Sequence, residues 1–345
     1  LSFKMLLNVC ISYIKIARKR RINYRKIKKA FDVENHKLNL WHVVKKDWFS
    51  SVYGKNLVSN LIWIYLFDKH LKGIPFQKVG FYLCENMGWE RALIHAWTKN
   101  NHGSLVAVPH STIRFWDLRY FSDPRINIFS DKYFLPTPHY YALNGEMAFK
   151  YFDKNKYPNS KLLKSEALRY QFLDNHLNLS ARADKASAIP KVLILGDFSI
   201  KQTDKMLMEI ENVIKDFDFL AEYTLKNHPV SKISESQYSY LNFSVTNEPL
   251  QNILSNFDIV FSSNTTSASL DCFLLGKRVI IYLDDENLNF SPLRNINGVS
   301  FVSNANELYL ELKSNDFLLK DTNINNFFWI DADIPKWKEI INKLI

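Results

Sequence analysis

Phe257-Asp258-Ile259-Val260-Phe261-Ser262-Ser263-Asn264-Thr265-Thr266-Ser267 is the stretch whose reading decides the fold. Phe257 to Phe261 is a short apolar run of strand type, and Ala268 to Leu275 reads as a helix closed by Gly276. Arg278 to Leu283 supplies the next apolar strand. Strand, helix and strand in that order make a β-α-β unit, the connection that parallel strands require. The intervening turn holds five hydroxyl residues, Ser262, Ser263, Thr265, Thr266 and Ser267, with Asn264 among them. Free N–H groups and the helix dipole favour an anion at such a place, so the turn reads as a phosphate site. The plainer alternative is that these hydroxyls only cap the helix.

Working outward, the same alternation recurs on both sides. Val192-Leu193-Ile194-Leu195 is a buried-type parallel strand ending in Gly196-Asp197-Phe198. A helix over Lys201 to Lys215 leads to a strand around Phe219 to Leu225, which ends in Lys226-Asn227-His228-Pro229. Phe243 to Thr246 is a further strand, and Val299 to Val302 with a helix from Ala305 to Lys313 completes the unit. In the N-terminal half, Leu57 to Leu71 has helical periodicity and stops before Gly73 and Pro75. Lys78 to Cys84 is a strand running into Glu85-Asn86-Met87-Gly88, Trp89 to Thr98 a helix, and Leu105 to Val108 a strand ending in Pro109-His110-Ser111-Thr112. Ser160 to Leu177 reads as a helix, and Asn178 to Pro190, poor in bulky apolar residues, as the linker between two α/β domains. A chain of 345 residues is long enough for two cores.

The net charge of +10 is concentrated. Residues 1–31 contain ten Lys or Arg and no acid, so the rest of the chain balances 35 basic against 35 acidic residues. That distribution excludes a general nucleic-acid-binding surface and leaves a basic amphipathic segment. The segment's apolar run is broken by Lys4 and Lys15, too short and charged for a membrane span. It reads either as a helix lying on an anionic membrane or as a solvated surface helix. The first residue is Leu, which leaves room for a preceding piece. Cys10, Cys84 and Cys272 lack metal-type spacing and read as buried free thiols of a reducing compartment.

In open parallel sheets, ligands collect at the carboxyl ends of strands. The residues there are Asp197, Lys226, His228 and the turn Ser262 to Thr266 in the second domain, with Glu85 and His110 in the first. His228 and Lys226 are candidates for a phosphate. Asp197 fits a nucleophile, a base or a helix cap. Glu85 and Glu90 fit a base or contacts to sugar hydroxyls, with a surface salt bridge as the ordinary alternative for Glu90. Asp331-Ala332-Asp333 has a metal-carrying form but lies away from any strand tip, and Asp284-Asp285 reads as a solvated loop.

Tyr82-Leu83-Cys84-Glu85-Asn86-Met87-Gly88-Trp89-Glu90-Arg91-Ala92-Leu93 and Val108-Pro109-His110-Ser111-Thr112-Ile113-Arg114-Phe115-Trp116-Asp117-Leu118-Arg119-Tyr120-Phe121 resemble bacterial surface-carbohydrate biosynthesis proteins. More narrowly they resemble the retaining β-Kdo glycosyltransferases of lipopolysaccharide O antigen. His228-Pro229 and Ser262-Ser263 are similar to nucleotide motifs of bacterial sialyltransferases and Kdo transferases. The resemblance implies a GT-B architecture, with two Rossmann-like domains facing each other across a cleft. It implies CMP-Kdo as donor, no metal or other cofactor, and a covalent Kdo adduct on an aspartate, for which Asp197 matches by position. His228, Lys226 and Ser262 to Thr266 would then hold CMP, Glu85 or His110 would serve the acceptor hydroxyl, and Arg114 and Arg119 the sugar carboxylate.

The organisation expected is therefore a basic segment at 1–31, an acceptor domain at 32–182, a CMP-sugar domain at 191–333 and a helix at 334–345 returning to the first domain. The partners expected are a CMP-sugar, a lipid-linked or polysaccharide acceptor and the anionic inner membrane, with no nucleic acid. The location expected is the cytoplasm, peripheral to that membrane. The competing readings are an inverting sialyltransferase-like enzyme, with Asp197 as base, and a non-catalytic membrane-bound nucleotide- or polysaccharide-binding subunit.

Overall fold

The computed structural model describes residues 2–33, 38–120, 135–173, 189–233, 238–314 and 324–345. The expected linker lies almost wholly outside them, as do Phe121 and the end of the helix read to Leu177. The chain opens with three helices, α1 (Phe3–Lys29), α2 (Trp41–Val52) and α3 (Lys55–Gly73). Val9, Tyr13 and Ile16 on one side of α1 pack against Leu57, Leu61 and Tyr65 of α3, and Met5 is buried on the same side. Ser12 Oγ lies 2.7 Å from the Tyr65 hydroxyl of α3, and Tyr13 donates to the carbonyl of Tyr53, at the end of α2, at 2.9 Å. Cys10 is exposed on the other side, so the expectation of a buried thiol fails there; Cys84 and Cys272 are buried.

The first sheet follows: β1 (Val79–Leu83), α4 (Gly88–Lys99), β2 (Ser104–Val108), β3 (Tyr140–Leu143), α5 (Glu146–Lys154) and β4 (Leu162–Lys164). Its four strands are parallel, in the order β1-β2-β3-β4. The continuous helix expected from Ser160 does not form over its described part: residues 162–164 are β4, and α-helix begins only at Phe172 and Leu173. Leu162 packs with Tyr141, Phe152 and Tyr157 on one face of the sheet, while Leu163 packs with Trp337 and Ile340 on the other. Adjacent residues buried on opposite faces require the period of a strand, which a helix lacks.

The second sheet comprises β5 (Lys191–Leu195), β6 (Glu222–Lys226), β7 (Phe243–Thr246), β8 (Ile259–Ser263), β9 (Arg278–Tyr282) and β10 (Ser300–Val302). Its helices are α6 (Ile200–Phe217), the single turn α7 (Leu250–Ile253), α8 (Ala268–Leu274) and α9 (Ala305–Lys313). All strands are parallel, in the order β10-β9-β8-β5-β6-β7. Val192 and Ile194 point into a core with Met206, Leu207 and Ile210 of α6, and Leu193 and Leu195 into one with Leu270 and Phe273 of α8. The strand order reverses between β5 and β8, the topological switch point at which open α/β sheets form their crevice.

The chain then returns to the first sheet. Trp329 N–H donates to the Asn144 carbonyl at 3.0 Å, and Ala167 N–H to the Trp329 carbonyl at 2.8 Å. Gly145 admits this crossing, since a Cβ there would sit 1.7 Å from the Phe327 carbonyl oxygen. The last helix, α10 (Pro335–Leu344), lays Trp337 and Ile340 on Val106, Ala142 and Leu163. Buried Glu166 caps it, accepting from Lys336 N–H at 2.8 Å and Trp337 N–H at 3.0 Å.

Candidate active site

The switch point holds the densest polar cluster. Asp197 leaves β5 just after Gly196 and is only 2% exposed. Its N–H donates to Thr203 Oγ1 at 2.8 Å, and its Oδ1 accepts from the Ser199 N–H at 2.8 Å. Ser199 is the N-cap residue of α6, so this oxygen orders the start of that helix. Oδ2 accepts short hydrogen bonds from the hydroxyls of Ser263 and Thr265, which follow β8. Ser263 Oγ also lies 2.9 Å from Thr266 Oγ1. The carboxylate is thus enclosed by the turn that the sequence assigns to phosphate, and faces no open solvent.

The rest of that turn is equally specified. Ser262 donates to the Ser263 carbonyl at 3.3 Å, and Asn264 Nδ2 to the Leu288 carbonyl at 2.8 Å. Ser269 donates to the Thr266 carbonyl at 2.7 Å. Ser267 occupies the N-cap of α8 yet makes no side-chain capping bond, so capping does not account for the hydroxyls. The helix has seven residues and is a minor contributor of dipole.

Two arginines join the domains at this edge. Arg114 Nη1 donates to the Thr265 carbonyl at 2.7 Å across the cleft. Burial presses its pKa down, and Asp117 opposes that shift. The Arg294 guanidinium lies 4.2 Å from the Phe115 ring centre and 5.6 Å from that of Trp116.

Next to Asp197, the β6 tip carries Lys226 and His228. A Cβ on Gly196 would be 3.2 Å from the His228 backbone nitrogen, so the small residue lets the two loops abut. His228 Nδ1 accepts from Val230 N–H at 3.4 Å. Asn227 braces the loop from behind by bonding both backbone groups of Ile233. The Lys226 ammonium donates to the Glu248 carbonyl.

In the first domain, Glu85 Oε1 lies 3.6 Å from His110 Nε2, with the Glu85 side chain about half-exposed. His110 Nδ1 is buried and lacks a partner among the described residues. His110 borders a hollow of about 90 Å³ at the carboxyl ends of the strands, walled by Leu83, Val108, Asn144, Arg169 and Trp337. Glu90 and Arg119 are otherwise engaged. Glu90 is buried, and its Oε1 accepts from the N–H groups of Glu85 at 2.9 Å and Met87 at 2.8 Å, which shapes the loop after β1. Arg119 grips Asp117 with two bonds of 2.8 and 2.7 Å.

The structure therefore gathers Asp197, Ser263, Thr265, Thr266 and Arg114, sets Lys226 and His228 beside them, and pairs Glu85 with His110 separately. Sequence reasoning missed Thr203 and Ser199 beneath Asp197, and Arg294. A Ser or Thr just after a strand-tip aspartate is the signal available for the first two. Among the described residues no cluster of His, Cys, Asp or Glu has the makings of a metal site. Asp331 accepts from Asp333 N–H at 2.9 Å in an exposed turn. Asp284 departs from the solvated-loop reading: it is buried and held by Lys205 Nζ at 2.8 Å.

No family profile matches the sequence, and no curated protein matches it. Solved structures do share its fold. The chain is similar to the UDP-GlcNAc 2-epimerase of Methanocaldococcus jannaschii, at 12% identity over 84% of this chain and 83% of the other, with a TM-score of 0.51. It is similar to CalG4, the calicheamicin glycosyltransferase, at 9% identity over 81% and 73% of the two chains, with a TM-score of 0.50. These likenesses define the fold as GT-B, two parallel-sheet α/β domains across a cleft.

Proposed function

We propose that the protein is a glycosyltransferase that moves Kdo from CMP-Kdo to a surface-polysaccharide acceptor. The observation that carries this reading is the hydroxyl cluster at the switch point, closed from the opposite domain by Arg114. Serine and threonine donors suit the phosphate monoester of CMP, and His228 stands next to them. When donor enters, the Ser263 and Thr265 hydroxyls turn from Asp197 to the phosphate, and the carboxylate they release becomes the nucleophile. An Asp197 oxygen bonds to the anomeric carbon as the bond to the CMP oxygen breaks, its electron pair leaving with CMP. The acceptor hydroxyl then attacks that carbon and displaces the carboxylate, passing its proton to the Glu85–His110 pair. Two inversions give net retention. The acceptor is lipid-linked or polymeric, and residues 1–31 keep the enzyme at the anionic face of the inner membrane.

The burial of Asp197 favours a second course. In it Asp197 only orders the turn, and one displacement assisted by Glu85 and His110 inverts the centre. Incubation with CMP-Kdo against other CMP-sugars, with anomeric NMR of the product and mass spectrometry of the Asp197 peptide, tests both. An adduct with retention supports the covalent course, inversion without adduct supports the other, and acceptor-independent binding without CMP release refutes transfer.

A further inference from the structure

α1 is 27 residues long and, among the described residues, packs on the protein along one side. The opposite side carries Phe3, Leu7, Ile11 and Ile14 in the open, with Phe3 84% exposed. Steps of four, four and three residues keep these side chains in one stripe. At 3.6 residues per turn, Arg18, Arg25, Lys28 and Lys29 continue the stripe on the same side, and all four are exposed. The stripe is thus apolar for about 16 Å and then basic for about 16 Å, at ~1.5 Å per residue. Lys4 and Lys15, also exposed, flank the apolar half, where long stems allow the ammonium to reach past an apolar layer. No helix among the described residues is long and apolar enough to cross a membrane.

An apolar band adjoining dense positive charge matches the boundary between acyl chains and anionic headgroups. A second copy of the chain matches it poorly. Antiparallel pairing of two α1 helices would set each apolar half on a basic half, and parallel pairing would set like charges together. We infer that α1 lies in the plane of an anionic membrane through this stripe, with Phe3, Leu7, Ile11 and Ile14 in the acyl boundary and Arg18, Arg25, Lys28 and Lys29 on lipid phosphates. The inference rests on the peripheral-membrane part of the proposed function and adds which face makes the contact. Because the other face of α1 is fixed to α3, and α3 packs on α4, the attachment also sets how the cleft is oriented above the bilayer.

The test uses the full chain with phosphatidylcholine vesicles, with and without phosphatidylglycerol, followed by sedimentation. Wild-type protein should bind the anionic vesicles and lose them at high salt. Arg25→Ser/Lys28→Ser/Lys29→Ser should weaken binding about 100-fold, and Leu7→Gln/Ile14→Gln about tenfold or more. Leu310→Gln, at an exposed leucine of α9, should change nothing. All these positions are open to solvent, and an unchanged melt by circular dichroism verifies folding. If wild-type protein binds and both stripe variants bind equally, this inference falls while peripheral attachment stands. Wild-type protein that ignores both vesicle types overturns attachment as a whole. Loss of a dimer in the leucine and isoleucine variant, with vesicle binding intact, assigns the stripe to a second copy and refutes the lipid.

Discussion

Replacing Asp197 separates its two roles, because alanine and asparagine remove different things. Asp197→Ala strands the Ser199 N–H and takes the acceptor from the hydroxyls of buried Ser263 and half-buried Thr265. An unsatisfied buried donor costs about 1–3 kcal/mol, and a bond to a charged group is worth about 1.5–3. Ser263 retains Thr266 as a neighbour at 2.9 Å, which recovers part of the loss. The net destabilisation expected is about 3–5 kcal/mol, a fall of roughly 10 °C in Tm at ~2–4 °C per kcal/mol for a domain of this size. Asp197→Asn keeps an oxygen for Ser199 and lets the hydroxyls rotate to accept, so it should cost only about 1–2 kcal/mol. As nucleophile, however, asparagine fails, and CMP release should drop by roughly 10³-fold or more. The assay pairs thermal unfolding, with and without CMP, with acceptor-dependent CMP release. CMP should still raise the Tm of Asp197→Asn. Turnover of that variant within about tenfold of wild type would refute the covalent role, and an Asp197→Ala protein as stable as wild type would refute the assigned hydrogen bonds.

Other consequences can be measured separately. His228→Ala should weaken CMP binding by about 1.5–3 kcal/mol, roughly ten- to 150-fold, by calorimetry; unchanged affinity would remove His228 from the nucleotide site. Arg114→Ala should leave each domain folded and lower kcat/KM by about ten- to 100-fold, since the guanidinium closes the cleft on Thr265; unaltered kinetics would show that contact to be incidental. Chelator should leave turnover intact, and restoration of lost activity by Mn²⁺ or Mg²⁺ would contradict the metal-independent reading. Asp271 is pushed up to about 7 by burial, against the nearby charge of Arg169. A carboxyl held above its unfolded value of about 4 makes the fold lose stability as pH rises through that window, with the penalty complete above about 7. Asp271→Asn should therefore exceed wild type by about 1–3 kcal/mol in urea melts at pH 8, the gap closing towards pH 4; a gap independent of pH would exclude titration as its cause.

What could be read from the sequence followed burial. β5 and β8 are apolar runs buried on both faces and bounded by polar residues, so their positions are visible in the sequence, whereas the reversal between them depends on which strands pair. β4 is not visible there, because three residues give no period, and only the placement of Leu162 and Leu163 on opposite faces distinguishes strand from helix. α1 shows one amphipathic pattern in sequence but has two apolar sides, and which side meets α3 is a tertiary fact. At the site, the strand-tip rule found Asp197 and its hydroxyl turn. It could not show that Glu90 bonds the loop after β1, nor that Arg114 points at Thr265, because both depend on side-chain direction across distant elements.

The seating of α10 on the first sheet bears on how the chain acquires its structure. Glu166 and Trp337 are 171 residues apart, and among the described residues Val106, Ala142 and Leu163 are covered by α10. During synthesis, that face of the first sheet waits, apolar and open, until α10 has been made. Contacts of such separation slow folding and prolong exposure to aggregation. A first domain expressed alone should therefore be poorly soluble, and a stop codon shortly before Pro335 should harm the half of the protein farthest from it in sequence.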